Sequence, residues 1–155
     1  MPLFQSDGFL DKLTKVEIKK HFQKKKIVRA LYLNDSLGLS DLMKRLKLGA
    51  PTVQNLLDEL IVEDIVHQTG TGSSKGGRRP NLYRLMRNAF YVLSIDIRNY
   101  STRLALFDSA NKKATPIKII TLELKNDISI VNHIYKCAQD IIKESSIDES
   151  RIIGV

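Results

Sequence analysis

Cysteine is almost missing from this 155-residue sequence, and tryptophan is missing altogether. The lone Cys137 forms no internal disulfide and supplies no ligand set, which excludes a disulfide scaffold and a structural zinc fold. It falls beside an apolar helix position, Ala138, and reads as a packing residue. His21, His67 and His133 lie far apart with no ligand spacing, so no metal and no cofactor is expected. No apolar run approaches the ~20 residues of a membrane helix. The segment Met1 to Leu10 has Asp7 but no early Lys or Arg, so it lacks a signal-peptide pattern. A reducing cytoplasm is the expected location.

Acidic residues are also short in supply: 25 Lys+Arg stand against 17 Asp+Glu, a formal charge of +8. The imbalance is local. Up to Asn88 there are 16 basic and 9 acidic residues, and after it 9 and 8, so the excess belongs to the first part of the chain. Hydrophobic patterning changes at the same place, from helical periodicity to short β-rich runs. Two domains are expected, residues 1–88 and 89–155, with the boundary near Met86 to Phe90. A basic first domain points to a polyanionic partner.

From about Val16 to Tyr32 helix formers run without Gly or Pro, with Ile27, Val28, Leu31 and Tyr32 on one face. Ile18 and Phe22 are slightly out of phase, so an interruption near Gln23 to Lys26 is expected. Asn34-Asp35-Ser36 marks a turn and Leu37-Gly38-Leu39 an extended piece. Ser40 is the expected N-cap of a helix that turns Leu42, Met43 and Leu46 inward and stops at Lys47-Leu48-Gly49. A third helix opens with Pro51 in its first turn, where the missing N–H costs nothing, and buries Val53, Leu56, Leu57, Leu60 and Ile61. Two short helices joined by a tight turn, the second with Thr52, Gln54 and Asn55 near its start, have the layout of a helix-turn-helix. Thr52, Gln54 and Asn55 are suited to base edges or phosphates, and Lys44 and Arg45 to phosphates.

Next come a strand near Ile65 to Gln68, the segment Thr69 to Pro80, and a strand over Asn81 to Leu85. A Gly/Ser-rich, cation-bearing loop between two strands, placed after a helix-turn-helix, is expected to be a wing. Arg78 and Arg79 suit a narrow minor groove and Lys75 a phosphate. Lys24 to Lys26 reads first as a solvated helix face, with DNA contact the lesser alternative.

The second domain reads strand, strand, strand, helix, strand. Tyr91 to Ile97 is nearly continuously apolar, as in a strand covered on both faces, followed by Arg103 to Phe107 and an alternating run from Lys118 to Leu124. Asp127 can cap a helix whose inward face is Val131, Ile134, Tyr135, Ala138, Ile141 and Ile142. A last apolar run, Ile152 to Val155, is cut off within a strand, so this domain is expected to be only partly present.

Leu48 to Leu60 with Pro51-Thr52-Val53, then Gly76-Gly77-Arg78-Arg79-Pro80-Asn81-Leu82-Tyr83, Tyr91 to Phe107, and Arg151-Ile152-Ile153-Gly154-Val155 together resemble the N-terminal portion of the ROK family of repressors, open reading frames and kinases. The resemblance implies an α+β chain: a winged helix-turn-helix followed by the first β-β-β-α-β portion of an actin-like, ribonuclease H-like domain of sugar-kinase type. It also implies a transcriptional regulator, in the first instance a repressor of carbohydrate-related genes. Such a protein would bind double-stranded DNA as a homodimer, with a sugar or sugar derivative as effector of the full-length family. The DNA-binding residues expected on this reading are Ser40, Lys44, Pro51, Thr52, Gln54, Asn55, Lys75, Arg78 and Arg79.

The alternative is a sugar kinase with an added N-terminal domain. Kinases of the family carry an Asp-x-Gly-Gly-Thr turn whose glycines let backbone N–H groups approach phosphates. Here the matching residues are Asp96-Ile97-Arg98-Asn99-Tyr100, so no enzyme and no catalytic residue is expected. The family's sugar-binding residues, catalytic Asp and His/Cys zinc motif lie downstream of Val155.

Overall fold

Thr14 starts the first helix by a reciprocal pair of hydrogen bonds: its backbone N–H donates to Glu17 at 2.8 Å, and the Glu17 N–H donates to its hydroxyl at 3.4 Å. Helix α1 then runs without a break over Lys15–Asn34. The interruption expected near Gln23 to Lys26 does not occur, because the phase shift is absorbed by a buried face of a different composition: His21, Lys24, Ile27, Val28 and Leu31. Tyr32, expected on that face, is exposed, and so is Phe22. The computed structural model describes residues 2–4, 13–71, 80–123 and 127–155. The chain divides into two units, Met1–Ala89 and Phe90–Val155.

In the first unit α1 is followed by β1 (Ser36–Gly38), α2 (Leu39–Leu46), α3 (Ala50–Val62), β2 (Val66–Thr71) and β3 (Asn81–Leu85). β3 is central in an antiparallel sheet of order β1-β3-β2. The turn into β1 is fixed by Asp35, at φ 58°, whose carboxylate takes an ion pair of 2.5 Å from Arg84 on β3. Pairing with β3 holds the chain extended as far as Gly38. The helical geometry of α2 therefore begins at once, with Gly38 as N-cap, and Ser40 is an exposed residue of the first turn instead of the expected cap. The Gly38 N–H reaches Asp41 at 3.4 Å, a capping contact supplied from inside the helix. α2 closes on Lys47 in the left-handed conformation. Gly49 is the N-cap of α3, and Pro51 sits in its first turn as expected.

The core of this unit is the inward stripe of three mutually contacting helices and the sheet behind them: Ile27, Leu31, Leu42, Val53, Leu57, Leu60, Ile65 and Val66 are essentially inaccessible. Ile61, expected in the stripe of α3, lies at its rim and is 36% exposed. β2 is longer than the run Ile65 to Gln68 suggests. A register shift between Gln68 and Gly70 lets pairing continue to Thr71↔Asn81, and Gly70 takes φ 122°, a conformation costly for any residue with a Cβ.

The second unit contains β4 (Tyr91–Arg98), β5 (Ser101–Asp108), β6 (Lys118–Thr121), α4 (Ile128–Glu144) and β7 (Ile152–Gly154). Its sheet has the order β6-β5-β4-β7, antiparallel except for β4 with β7. The element order is the expected one. Two details differ. β4 is not covered on both faces within this unit: Leu93 is buried against Leu104, Leu106, Cys137, Ala138 and Ile141, while its neighbours Val92 and Ser94 are exposed. On α4, capped by Asp127 as expected, the buried stripe is Ile134, Cys137, Ala138 and Ile141. Val131 and Tyr135 are exposed, since one helix over a four-stranded sheet leaves its flanks open. No described helix is long and apolar enough to cross a membrane.

Candidate nucleic-acid interface

The buried stripe of α3 leaves its leading end facing out. Pro51, Thr52 and Asn55 are exposed there, and Gln54 is half-buried. Thr52 and Asn55 share one flank of α3, three residues apart, and line a groove with Leu56, Glu59 and the α1 residues Val16, Lys19, Lys20 and Gln23. Gln54 is on the other side of the outward face and donates to Asp58 at 2.8 Å, which orients its amide. Ser40 and Lys44 are exposed, one helical turn apart on α2. Arg45 donates to Asn34 at 2.9 Å, and Asn34 in turn donates to the Ala30 carbonyl at 2.8 Å, so this arginine ties α2 to the end of α1. Lys75, Arg78 and Arg79 lie outside the described residues. The strands that lead into and out of their segment are paired up to Thr71↔Asn81.

The Lys24 to Lys26 run is not a uniform solvated face. Lys24 is buried and its ammonium spans two carboxylates, Glu59 of α3 at 2.8 Å and Glu63, which caps the end of α3, at 2.5 Å. The other oxygen of Glu59 pairs with Lys20 at 2.5 Å. Burial alone would lower the Lys24 pKa, but its hydrogen bonds to Glu59 and Glu63 outweigh that and hold it above the ordinary lysine value. Burial likewise pushes Glu59 up, and the two ammonium groups reverse the effect and hold it below the usual carboxylate range. The acidic residues on this flank of α3, which on their own would repel a polyanion, are thus matched by cations of α1. Sequence reading missed this because Lys24 and Glu59 are far apart in the chain; the only local signal was a lysine on the same helical face as Ile27, Val28 and Leu31.

His21 sits next to this cluster. Burial, then the nearby charges of Lys25 and Lys24, hold its pKa below the ordinary 6.5, against a smaller opposing influence of Glu63. Its folded-state pKa is depressed, so the unfolded chain takes up the proton first as pH falls and stability is lost below about 6.5. Glu59 has the same sign: its contribution is present above the ordinary carboxylate value and is lost as pH falls through the depressed one. The melting temperature followed by circular dichroism is therefore expected to be level from pH 8 to 7 and to fall in two stages on acidification. His21→Gln should abolish the upper stage only. An unchanged melting temperature between pH 7 and 5 in the wild-type chain would contradict the assignment.

A polar leading helix end with a cationic flank, in front of a β-hairpin, has the layout of a nucleic-acid-reading unit. No protein-family model matches the chain. It is 35% identical over 78 residues to the xylose repressor of Caldicellulosiruptor bescii, covering 50% of this chain and 20% of that protein. It is 28% identical over 82 residues to the xylose repressor of Staphylococcus xylosus, covering 52% and 21%. The fold matches a solved ROK family transcriptional regulator, a homologue of the E. coli MLC protein, with TM-score 0.52 and 17% identity over 78% of this chain and 33% of that one. The chain spans about a fifth of the length of the curated relatives it matches. The resemblance drawn from the sequence is borne out to this extent: over part of their length the chain is similar to xylose repressors, and its fold is similar to that of a ROK family regulator.

Proposed function

We propose that this chain is the DNA-binding portion, with part of the effector domain, of a sequence-specific transcriptional repressor of carbohydrate-related genes. On this reading the first unit is a winged helix-turn-helix. The leading end of α3 enters the major groove with Pro51, Thr52, Gln54 and Asn55, while Ser40 and Lys44 of α2 meet the backbone. Lys75, Arg78 and Arg79 form the wing and reach the adjacent minor groove. The second unit is the beginning of a ROK-type actin-like domain, which in the intact protein would take a sugar effector and shift the spacing of two DNA-binding units in a homodimer. The observation that carries the reading is the exposed polar start of α3, set one turn after α2 and followed directly by the β2–β3 hairpin. The repressor names of the relatives support the regulatory role and its carbohydrate context.

A kinase activity is not favoured. At the end of β4, Arg98 folds back on Asp96, with its Nε at 3.0 Å and its Nη2 at 2.9 Å from one carboxylate oxygen. The Asp96 carboxylate is thus paired with Arg98, a side chain that stands where a phosphate-binding turn of the family has glycine.

Selection of bound duplexes from a random pool tests the proposal, and a palindromic consensus is the expected product because two-fold assembly requires two half-sites. Recovery of no enriched sequence would reject specific recognition. Arg78→Ala combined with Arg79→Ala should weaken binding to a selected duplex by about 1–3 kcal/mol. Titration curves unchanged at matched salt would remove the wing from the mechanism.

A further inference from the structure

We infer that the groove between α1 and α3 seats a DNA phosphodiester, held by Lys19 and Lys20, and that Glu59 limits the affinity by competing with the phosphate for Lys20. The inference rests on the DNA-binding reading above and adds to it a second helix and a built-in opponent. The groove has matching walls: Val16, Lys19, Lys20 and Gln23 from α1, and Thr52, Asn55, Leu56 and Glu59 from α3. Both sets follow i, i+3, i+4, i+7 spacing, so each is one face of its helix and the two faces oppose each other along the groove.

The placement follows from dimensions. A helix with its side chains is about 10–12 Å across and the major groove about 12 Å wide, so the sugar-phosphate strand passes close along the flank of an inserted helix. Thr52 and Asn55 mark one flank of α3, and the residues beyond them on that side are the α1 lysines. Lys19 is exposed, and the Lys20 side chain is 46% exposed, so both ammonium groups can meet a phosphate without unfolding anything.

The charges in the cluster have separate roles. Lys24 is buried and bound by both Glu59 and Glu63, so it is a structural cation and unavailable to DNA. Lys20 is shared: it holds one oxygen of Glu59 at 2.5 Å while its exposed side chain borders the groove. A phosphate that takes Lys20 must draw it away from Glu59 and stand near that carboxylate. Replacing Glu59 by glutamine removes the competitor and the repulsion but keeps the shape of the wall.

The test uses the full chain and a fluorescein-labelled mixed-sequence duplex of about 24 base pairs, titrated between 50 and 200 mM KCl. Each phosphate contact adds about 0.9 to the slope of log K against log salt, or about a threefold change in affinity across that fourfold range. Lys19→Ala should reduce the wild-type salt sensitivity by about threefold, and Glu59→Gln should increase it by about the same factor and tighten binding at 50 mM KCl. Lys136→Ala, an exposed lysine of the second unit, should change neither. Lys19 is exposed on α1, so its replacement keeps the test decisive even if Glu59→Gln lowers stability. Wild-type protein that binds no duplex at 50 mM KCl overturns the DNA reading itself. Wild-type binding with the Lys19→Ala and Glu59→Gln slopes unaltered overturns this inference and leaves that reading standing.

Discussion

Truncating Leu57 to alanine is expected to cost about 2–5 kcal/mol of unfolding free energy, the range for a large-to-small change in a filled core. Leu57 is completely buried in the middle of α3, the helix that would carry the base-reading residues. The loss has two parts, the transfer free energy of the removed carbons and the cavity that the surrounding helices cannot close. Ile61 is the control. Four residues further along the same helix, it is 36% exposed, and Ile61→Ala should cost less, about 1–2 kcal/mol, because part of its side chain is already in water and the rim can relax into the space. Urea titrations of both variants measure the difference. Equal losses would mean that α3 is rotated from the orientation described, which would also move Thr52 and Asn55 off the outward face.

The second large effect is expected at Lys24. Lys24→Met removes a buried cation that bridges two carboxylates, leaving Glu63 without that partner contact and Glu59 with Lys20 only. Breaking a fully buried pair costs about 3–5 kcal/mol. Here the side chains of Glu59 and Glu63 are 37% and 28% exposed, so water recovers part of the loss and about 1–3 kcal/mol is expected. The triple variant Lys24→Met, Glu59→Gln, Glu63→Gln should regain most of it, since no uncompensated charge is left. Denaturant unfolding of the single and triple variants makes the comparison. A triple variant no more stable than Lys24→Met would show that the lysine stem contributes by packing and that its charge contributes little.

Much of the element order was legible because it rests on local signals. Pro51 in a first turn, Asp127 ahead of α4 and the bounds Asn81 to Leu85 of β3 are all written in short stretches of sequence, and the structure has them there. The periodicity reading placed the start of α1 at about Val16 and passed over the capping box of Thr14 with Glu17, which starts the helix at Lys15. What local reading got wrong depends on partners distant in sequence. Ser40 loses the cap position because β1 is tied to β3, more than forty residues on. Tyr32, Val131 and Tyr135 satisfy helical periodicity but are exposed, because no neighbouring element covers that side of their helices.

For the candidate interface the division is similar. Residue types suited to DNA, the Thr52, Gln54 and Asn55 set and the expected wing cations, were legible as a list, and so was the excess of basic over acidic residues before Asn88. Which charges are available could not be read. A run of three lysines looks uniform in sequence, yet Lys24 is buried and bound to two carboxylates while Lys26, two residues on, is exposed.

The sequence by itself determined that this is a basic, helix-led unit followed by a β-rich one, without disulfide or membrane span in its pattern, because composition and periodicity are properties of the chain read in order. The tertiary structure alone decided that α1 lies beside α3, that its Lys20 and Lys24 pair with Glu59 and Glu63, and that Thr52 and Asn55 border a groove lined by lysines. Side-chain pairing across that groove depends on the distance between helices in space, and the close approach of α1 and α3 is set by the core they share.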